Sequence, residues 1–239
     1  MQSSDKLRNV ADEFLTNTDL LYEDCVSGLK NLDRIVIDVT HTLSDMTRGF
    51  LVPIVYAYWE RFYKTSFSEY IRCLEKAEID LSEVNPNIVA MRFRKELVRM
   101  AKEHKIAELH LIADKFEIDG LRHSVGTFSS LLYQPLSFPH EIDWVDTESN
   151  VSYKVLESMC KKWNVDIQGI KLELETKEIN IFPKLKELVD ARNSIAHGDE
   201  FKNISQDEWN LLKIFIKELM SALQFTLFAH LEQNHTVLK

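Results

Sequence analysis

The sequence contains little glycine, proline or cysteine. Its 239 residues include 6 glycines and 5 prolines, too few for the many turns of a loop-rich all-β protein. Long helices are therefore expected, and the predicted fold class is all-α. The three cysteines, Cys25, Cys73 and Cys160, form no C-x-x-C pair, and their odd number fits neither a disulfide framework nor a zinc finger. A reducing compartment is the simplest interpretation.

The sequence also lacks a membrane-directed segment and an excess of positive charge. Residues 1–14 contain no apolar stretch typical of a secretory signal, and the longest apolar run, residues 50–59, is about half as long as a membrane span. We expect a soluble cytoplasmic protein with no membrane partner. Lys and Arg number 29 against 38 Asp and Glu, a formal charge of −9, which argues against general nucleic-acid binding but allows a local basic patch.

Apolar residues spaced three and four apart predict long helices in the first half of the chain. Residues 5–45 are typical of one long helix or of two broken ones. The segment 49–53, with one glycine and one proline, punctuates the chain, and a second long helix with an aromatic interior face is predicted over residues 55–74. A turn at residues 85–87, in which Pro86 suits a first helical position, then precedes a third helix over about residues 88–105.

The second half of the chain is less regular at first. Residues 106–147 hold two glycines and two prolines without a clean helical period, so we expect an irregular insertion there. Residues 149–150 predict the N-cap of a short helix that reaches Trp163, and the alternation over residues 170–174 is typical of a short strand or an extended connector. A helix is predicted over residues 180–198.

The last segment carries the clearest local signal. Ser205 and Glu208 form a capping box, in which the hydroxyl and the carboxylate satisfy amide donors at the start of a helix. Apolar residues then follow at spacings of three and four, which predicts a helix that continues past Phe228 and packs in a bundle.

Common nucleotide and metal motifs are missing from the sequence. It contains no P-loop, no G-x-G-x-x-G, no H-E-x-x-H and no G-x-S-x-G. His104 and His110 are six residues apart without a carboxylate at ligand spacing. We therefore expect neither a cofactor nor a metal.

Arg192 interrupts an otherwise apolar helix face. That face is formed by Leu185, Leu188, Val189, Ile195 and Ala196. A guanidinium in such a position needs a carboxylate, a phosphate or a subunit boundary for its five donors. On the neighbouring row, Asp190, Asn193 and His197 follow at spacings of three and four, so acid, amide and imidazole groups lie along one line.

The spacing of Arg192 and His197 is not specific by itself. Arg99 and His104 are also separated by four residues. The later pair differs in context, because Arg192 is followed by Asn193 and leads to a His-Gly sequence that ends a helix, whereas Arg99 belongs to a basic stretch.

The segment 188–198 resembles the signature of the HEPN superfamily (higher eukaryotes and prokaryotes nucleotide-binding), in which an arginine and a polar residue precede a histidine. Residues 149–151 and 58–60 are similar to a bacterial branch of stand-alone HEPN proteins described as predicted nucleases. The layout matches over about residues 15–235, but only the segment 188–198 is specific. The resemblance implies a single HEPN-like domain over residues 1–239.

This domain would be an all-α HEPN-type bundle, with core helices over about 5–105 and 150–235 and the insertion at about 106–147. The resemblance further implies a homodimer in which the helices carrying Arg192 and His197 face one another across the two-fold axis. In an ideal helix these two residues are about 140° apart, so a second chain would help to complete one site.

The implied activity is metal-independent cleavage of single-stranded RNA by attack of the ribose 2′-OH. His197 would act as general base or acid, Arg192 would neutralise the phosphorane charge, and Asn193 would orient the imidazole or a phosphate oxygen. The implied setting is a toxin–antitoxin pair or phage defence, with a cognate antitoxin or defence partner.

Other interpretations stay open. The chain is alternatively a non-catalytic HEPN module that binds a nucleotide, RNA or protein partner, with Arg192 paired to an acid of the other chain. Asp190 and Glu60 are candidates for a supporting role, although Glu60 with Lys64 is also an ordinary surface pair on a helix. The aromatic side chains Trp144 and Trp163 stack bases or, in the simpler interpretation, fill the core.

A basic run in the predicted third helix is the local patch that would track an RNA backbone. Its arginines are Arg92, Arg94 and Arg99. Such a run is more commonly a solvated helix face, so RNA contact there is a prediction that needs a separate test.

Overall fold

The computed structural model describes residues 3–37, 41–93, 133–138, 144–145, 147, 150–197 and 203–232. Within these ranges the chain forms α-helices, one short 3-10 helix and no β-strand, which confirms the predicted all-α class. The α-helices are α1 (Ser3–Ile37), α2 (His41–Lys76), α3 (Pro86–Arg92), α4 (Tyr153–Lys162), α5 (Ile167–Glu175), α6 (Ile181–His197) and α7 (Gln206–Glu232), and the 3-10 helix is Leu81–Glu83. None of these helices is long and apolar enough to cross a membrane.

Helices α1, α2 and α7 form the centre of the bundle. An ion pair between Arg61 and Asp24 joins α2 to α1, and Lys213 of α7 binds Asp33 of α1 at 2.5 Å. Since Gln224, further along α7, donates to Thr18, earlier in α1, these two helices run antiparallel. The shared interior is aromatic, as the sequence predicts for α2. Its buried α2 rings are Tyr56, Trp59, Phe62, Tyr63, Phe67 and Tyr70.

Helix α2 continues where the sequence predicted an interruption. Gly49 and Pro53 both lie inside it, although proline removes a helical hydrogen bond and glycine is a poor helix former. The neighbouring side chains Leu51, Val52 and Val55 are buried, so packing on both sides of the proline stabilises helix at a position where the local preference is against it.

The prediction of a strand or connector at residues 170–174 was wrong. These residues belong to α5, which Asp166 caps by accepting a hydrogen bond from the amide of Gln168 at 2.9 Å. Ile170 and Leu174 are buried and Leu172 is exposed. Residues four apart lie on one face of a helix and also on one face of a strand, so Ile170 and Leu174 fit either structure. Leu172 would lie on that same face only in a strand, and its exposure, which the sequence does not give, shows that the segment is a helix.

Of the four helix starts that the sequence predicted from a capping residue or a proline, three agree with the structure. Helix α3 begins at Pro86, the Asn180 side chain accepts from the Phe182 amide at the start of α6, and the Ser205 capping box precedes α7. The cap of α4 is Ser152, whose hydroxyl accepts from Val155, and not residues 149–150.

A short part of the predicted insertion is described, and it is irregular as expected. Residues 133–138 lie against the segment after α2, with the Leu81 amide donating to Gln134 and the Leu136 amide to Ile79. Phe138 and Trp144 pack at 5.2 Å in a cluster of rings that also contains Trp163. The remaining residues of 106–147, and those of the predicted third helix beyond Phe93, lie outside the described part of the chain.

Candidate functional site

Helix α6 carries the segment that the sequence singled out. Its first half is anchored by the buried side chains Leu185, Leu188 and Val189, and it packs against α2 and α4. The apolar face does not extend as far as predicted, because Ile195 is only half-buried and Ala196 is exposed. The second half of α6 therefore presents its polar side chains at a surface.

Arg192 lies against an aromatic ring of α2. Its guanidinium carbon is 5.4 Å from the centre of the Tyr56 ring, and its Nη1 donates to the Asn193 side-chain oxygen at 3.0 Å. A cation over a tyrosine face is stabilised by the ring's negative electrostatic potential. Within the described residues that single hydrogen bond leaves the other guanidinium donors open to a ligand.

Tyr56 itself is fixed by the segment that precedes α4. Its hydroxyl accepts from the Val151 amide at 2.6 Å, and the Trp59 indole donates to the Val151 carbonyl at 3.1 Å. Burial raises the pKa of Tyr56, and the negative charge of Glu60 raises it further. The hydrogen bond from Val151 and the positive charge of Arg192 lower it, but burial is the largest effect. Tyr56 is a rigid platform under Arg192 and stays protonated at neutral pH.

The platform was not predicted as part of the site. The sequence assigned the aromatic residues of α2 to the core, and Tyr56 is indeed 1% exposed. Tyr56 could have been found by asking which core tyrosine of another helix contacts the arginine that interrupts the apolar face of α6. Sequence spacing alone does not say which ring meets the guanidinium.

His197 is the last residue of α6 and is exposed. Arg192 is half-buried and points to α2, and in a regular helix the two residues are separated by about 140° and about 7.5 Å of rise. One chain thus presents a cation and an imidazole on different sides of the same helix end.

The candidates for a supporting role lie at the edge of this arrangement. Asp190 is exposed and accepts from Lys186 at 2.6 Å, one turn towards the start of α6, so its carboxylate is already paired in this chain. Glu60 is half-buried on α2, and its charge acts on Tyr56 together with that of Arg192. Glu60 and Arg192 therefore act on the same ring.

The predicted RNA-contacting arginines are described only in part. Arg92 is half-buried at the end of α3, with its guanidinium 5.1 Å from the Phe93 ring, whereas Arg94 and Arg99 lie outside the described residues. Trp163 is fully buried and Trp144 packs on it, so the interpretation of these two rings as core is confirmed.

The chain after α6 returns to α2. Arg48, which is buried, donates to the Ile204 carbonyl at 3.0 Å and pairs with Asp45 at 2.8 Å, while the Ile204 amide donates to the Asp45 carbonyl. This clamp holds the segment that follows His197 against the first turns of α2. The residues described include no group of three His, Cys, Asp or Glu side chains placed to hold a metal ion.

The family of the chain follows from its sequence as a whole. The RiboL-PSP-HEPN family model matches residues 21–224, and the chain belongs to this family. The match covers α1 from residue 21 onwards, the whole of α2, the site helix α6 and most of α7. The resemblance to HEPN proteins is therefore confirmed, and the all-α bundle is of the HEPN type. No curated protein and no solved structure matches the chain. Membership of this family indicates a nuclease or RNA-related function and nothing finer.

Proposed function

We propose that the protein is a metal-independent endoribonuclease that cleaves single-stranded RNA, with Arg192, Asn193 and His197 as its catalytic residues. The observation that carries the proposal is the placement of Arg192. Its guanidinium lies over Tyr56, the donors not used by Asn193 are open to a ligand as far as the described residues go, and the same helix ends at the exposed His197. Phosphate is the ligand that such a cation binds best, since a guanidinium donates to two phosphate oxygens at once.

The chemistry follows from the residue types. An imidazole takes the proton of the ribose 2′-OH while the 2′ oxygen attacks phosphorus, and the bond from phosphorus to the 5′ oxygen breaks. A protonated imidazole gives its proton to that departing oxygen. The products are a 2′,3′-cyclic phosphate and a 5′-OH. Arg192 neutralises the charge of the phosphorane, and Asn193 orients the guanidinium through their 3.0 Å hydrogen bond.

We place the reaction in a homodimer. Arg192 and His197 of one chain lie on different sides of α6, so two copies related by a two-fold axis supply an arginine from one chain and a histidine from the other to each phosphate. Exposed apolar side chains support association at this end. Met46, Phe50 and Ile54 form an exposed stripe on α2. The stripe begins in the helical turn of Arg48, whose hydrogen bond to Ile204 holds the segment after α6.

The proposed partners are single-stranded RNA and a cognate antitoxin or defence partner. The setting, a toxin–antitoxin pair or phage defence in the cytoplasm, rests on the resemblance to HEPN proteins.

The test is cleavage of a labelled mixed-sequence RNA in EDTA. We expect wild type to leave 2′,3′-cyclic phosphate ends, and His197→Ala and Arg192→Ala each to lower kcat by about 10²- to 10⁴-fold. His104→Ala is the control for the histidine, because it belongs to the other Arg-x-x-x-x-His of the chain, and Arg61→Ala is the control for an exposed arginine. Equal losses in the variants and their controls would refute the assignment.

Mixing the two inactive variants tests the shared site. If each site takes Arg192 from one chain and His197 from the other, a heterodimer of Arg192→Ala and His197→Ala has one intact site. Random exchange then restores about a quarter of wild-type activity. A mixture that stays inactive, with exchange verified by mass, contradicts a site built from two chains.

The second candidate function is a non-catalytic module that binds a protein or RNA partner. The α2 stripe of Met46, Phe50 and Ile54 favours it, because adjacent exposed apolar side chains mark interaction surfaces. In that case RNA survives incubation with wild type, while a charge at the stripe, Phe50→Glu, abolishes dimer or partner binding.

A further inference from the structure

A pocket lies at the start of α6, away from Arg192 and His197. Its volume is about 340 Å³, and its walls include the rings of Tyr153 and Phe182 and the side chains of Lys171, Glu175 and Asn180. This volume is at the lower end of the range for small-molecule sites and suits a single planar ring system.

We infer that this pocket binds one base of the RNA whose phosphate lies at Arg192 and His197. The inference rests on the proposed ribonuclease function, and it adds a specificity site on the same helix. Three independent features of the pocket support it. One wall is an exposed aromatic ring, that ring lies on the same side of α6 as two candidate catalytic residues, and hydrogen-bonding groups lie at the edge of the pocket.

The aromatic wall is built for stacking. Phe182 is 51% exposed although it is a large apolar residue next to the buried Ile181. Its ring meets that of Tyr153 edge to face, with centres 5.5 Å apart and planes at 81°. Tyr153 is held in turn, since its hydroxyl donates to Glu157 at 3.0 Å. The Phe182 ring therefore presents a fixed face on which a base stacks, and such stacking tolerates any base.

Phe182 lies on the same side of α6 as two candidate catalytic residues. With 100° per residue, Asn193 and His197 are within about 60° of Phe182 around the helix axis, and His197 is about 22 Å further along it. A single strand of about four nucleotides spans that length, which is within the range of about 4–16 nucleotides that one OB fold binds. One strand running along this stripe places a phosphate at His197 and a base at Phe182.

The polar groups favour a base over a phosphate. The Lys171 ammonium lies 5.4 Å from the centre of the Tyr153 ring, and its hydrogen bond to the Tyr153 hydroxyl together with the charges of Glu157 and Glu175 raises its pKa. Of these two carboxylates Glu175 lines the pocket, and its charge opposes a phosphate there. The carboxylate of Glu175 instead accepts from an exocyclic amino group, which adenine, cytosine and guanine have and uracil lacks.

The experiment measures RNA binding separately from cleavage. His197→Ala serves as the parent protein, so that the RNA stays intact, and the probe is a single-stranded RNA of about eight nucleotides with 2-aminopurine at one position at a time. Stacking in the pocket quenches its fluorescence. Phe182→Ala removes the ring, Phe182→Tyr keeps it, and Phe225→Ala is the matched control because that phenylalanine of α7 is 62% exposed.

We expect Phe182→Ala to weaken RNA binding by about 5- to 150-fold and to remove the quenching, whereas Phe182→Tyr and Phe225→Ala keep both. Glu175→Gln should reduce the preference for cytosine over uracil at the quenched position. Circular dichroism melting of Phe182→Ala checks that the fold is retained, which we expect since the ring is half exposed.

Two results overturn the inference. The first is equal RNA affinity of Phe182→Ala and Phe225→Ala. The second is binding of a free nucleoside monophosphate as tightly as the oligonucleotide, because the pocket would then serve a free nucleotide. Cleavage by wild type is assayed in parallel, so that the two proposals can fail separately. If wild type cleaves the RNA but Phe182→Ala binds it as tightly as the parent protein, only the pocket is refuted. If the RNA is bound through Phe182 but never cleaved, only the nuclease is refuted.

Discussion

The most direct test of the Arg192 platform is the substitution Tyr56→Phe. It keeps the ring beneath the guanidinium but removes the hydroxyl that accepts from the buried Val151 amide at 2.6 Å. An amide donor left buried without an acceptor costs about 1–3 kcal/mol. For a protein of this size each kcal/mol lowers Tm by about 2–4 °C, so we expect Tm to fall by about 2–12 °C.

The assay is urea unfolding followed by circular dichroism, together with RNA cleavage at a temperature where the variant is folded. Tyr56→Phe should lower the urea midpoint without changing the slope, and it should leave kcat unaltered. Tyr56→Leu removes the ring as well, so the guanidinium loses a cation–π contact worth about 0.5–1 kcal/mol and cleavage falls too. An unchanged midpoint for Tyr56→Phe would refute the role of the hydroxyl, and unchanged cleavage for Tyr56→Leu would refute the platform.

Three further predictions concern stability and reactivity. Burial raises the pKa values of Cys73 and Cys160 to about 12, so only about 10⁻⁴ of either thiol is ionised at pH 8. An aromatic disulfide reagent should therefore label them only after denaturation. Rapid labelling of the folded protein would contradict this. The hydrogen bond from Arg72 holds the pKa of Glu69 below its usual 4.5, so this carboxylate stabilises the fold above that pH and loses its contribution as the pH falls. Glu69→Gln should therefore flatten the decrease in urea midpoint between pH 6 and pH 3, and an identical decrease would count against it. Ser205→Ala removes the capping box of α7 and should cost about 1 kcal/mol in urea unfolding, a loss that would be missing if the cap were unimportant.

Local chemistry made much of the helical layout predictable. Asn180 and Ser205 accept hydrogen bonds from amides within three residues of themselves, and Pro86 has the φ angle that a first helical residue needs, so the sequence around each is enough to identify a helix start. The same argument failed at Pro53, where burial of the neighbouring α2 side chains outweighs the intrinsic preference of one residue.

The site was predictable only on the helix that carries the signature. Arg192 stood out because it occupies an apolar stripe, but its partner ring belongs to α2, and the hydrogen bond that fixes that ring joins Tyr56 to Val151 across 95 residues. No periodicity encodes such a contact. Phe182 was missed for a similar reason, since its exposure depends on how α4 and α5 surround the start of α6.

The pairing of α1 with α7 has a consequence for how the protein is made. Contacts such as Asp33 with Lys213 and Thr18 with Gln224 join the first helix to the last, so they form only after almost the whole described chain has left the ribosome. Until then the aromatic side of α2 has no α7 to cover it and is exposed to aggregation. A chain interrupted before α7 contains Arg192 and His197 but not the bundle that supports them. Such fragments should be found with chaperones and proteases, and complete chains alone should reach the native fold.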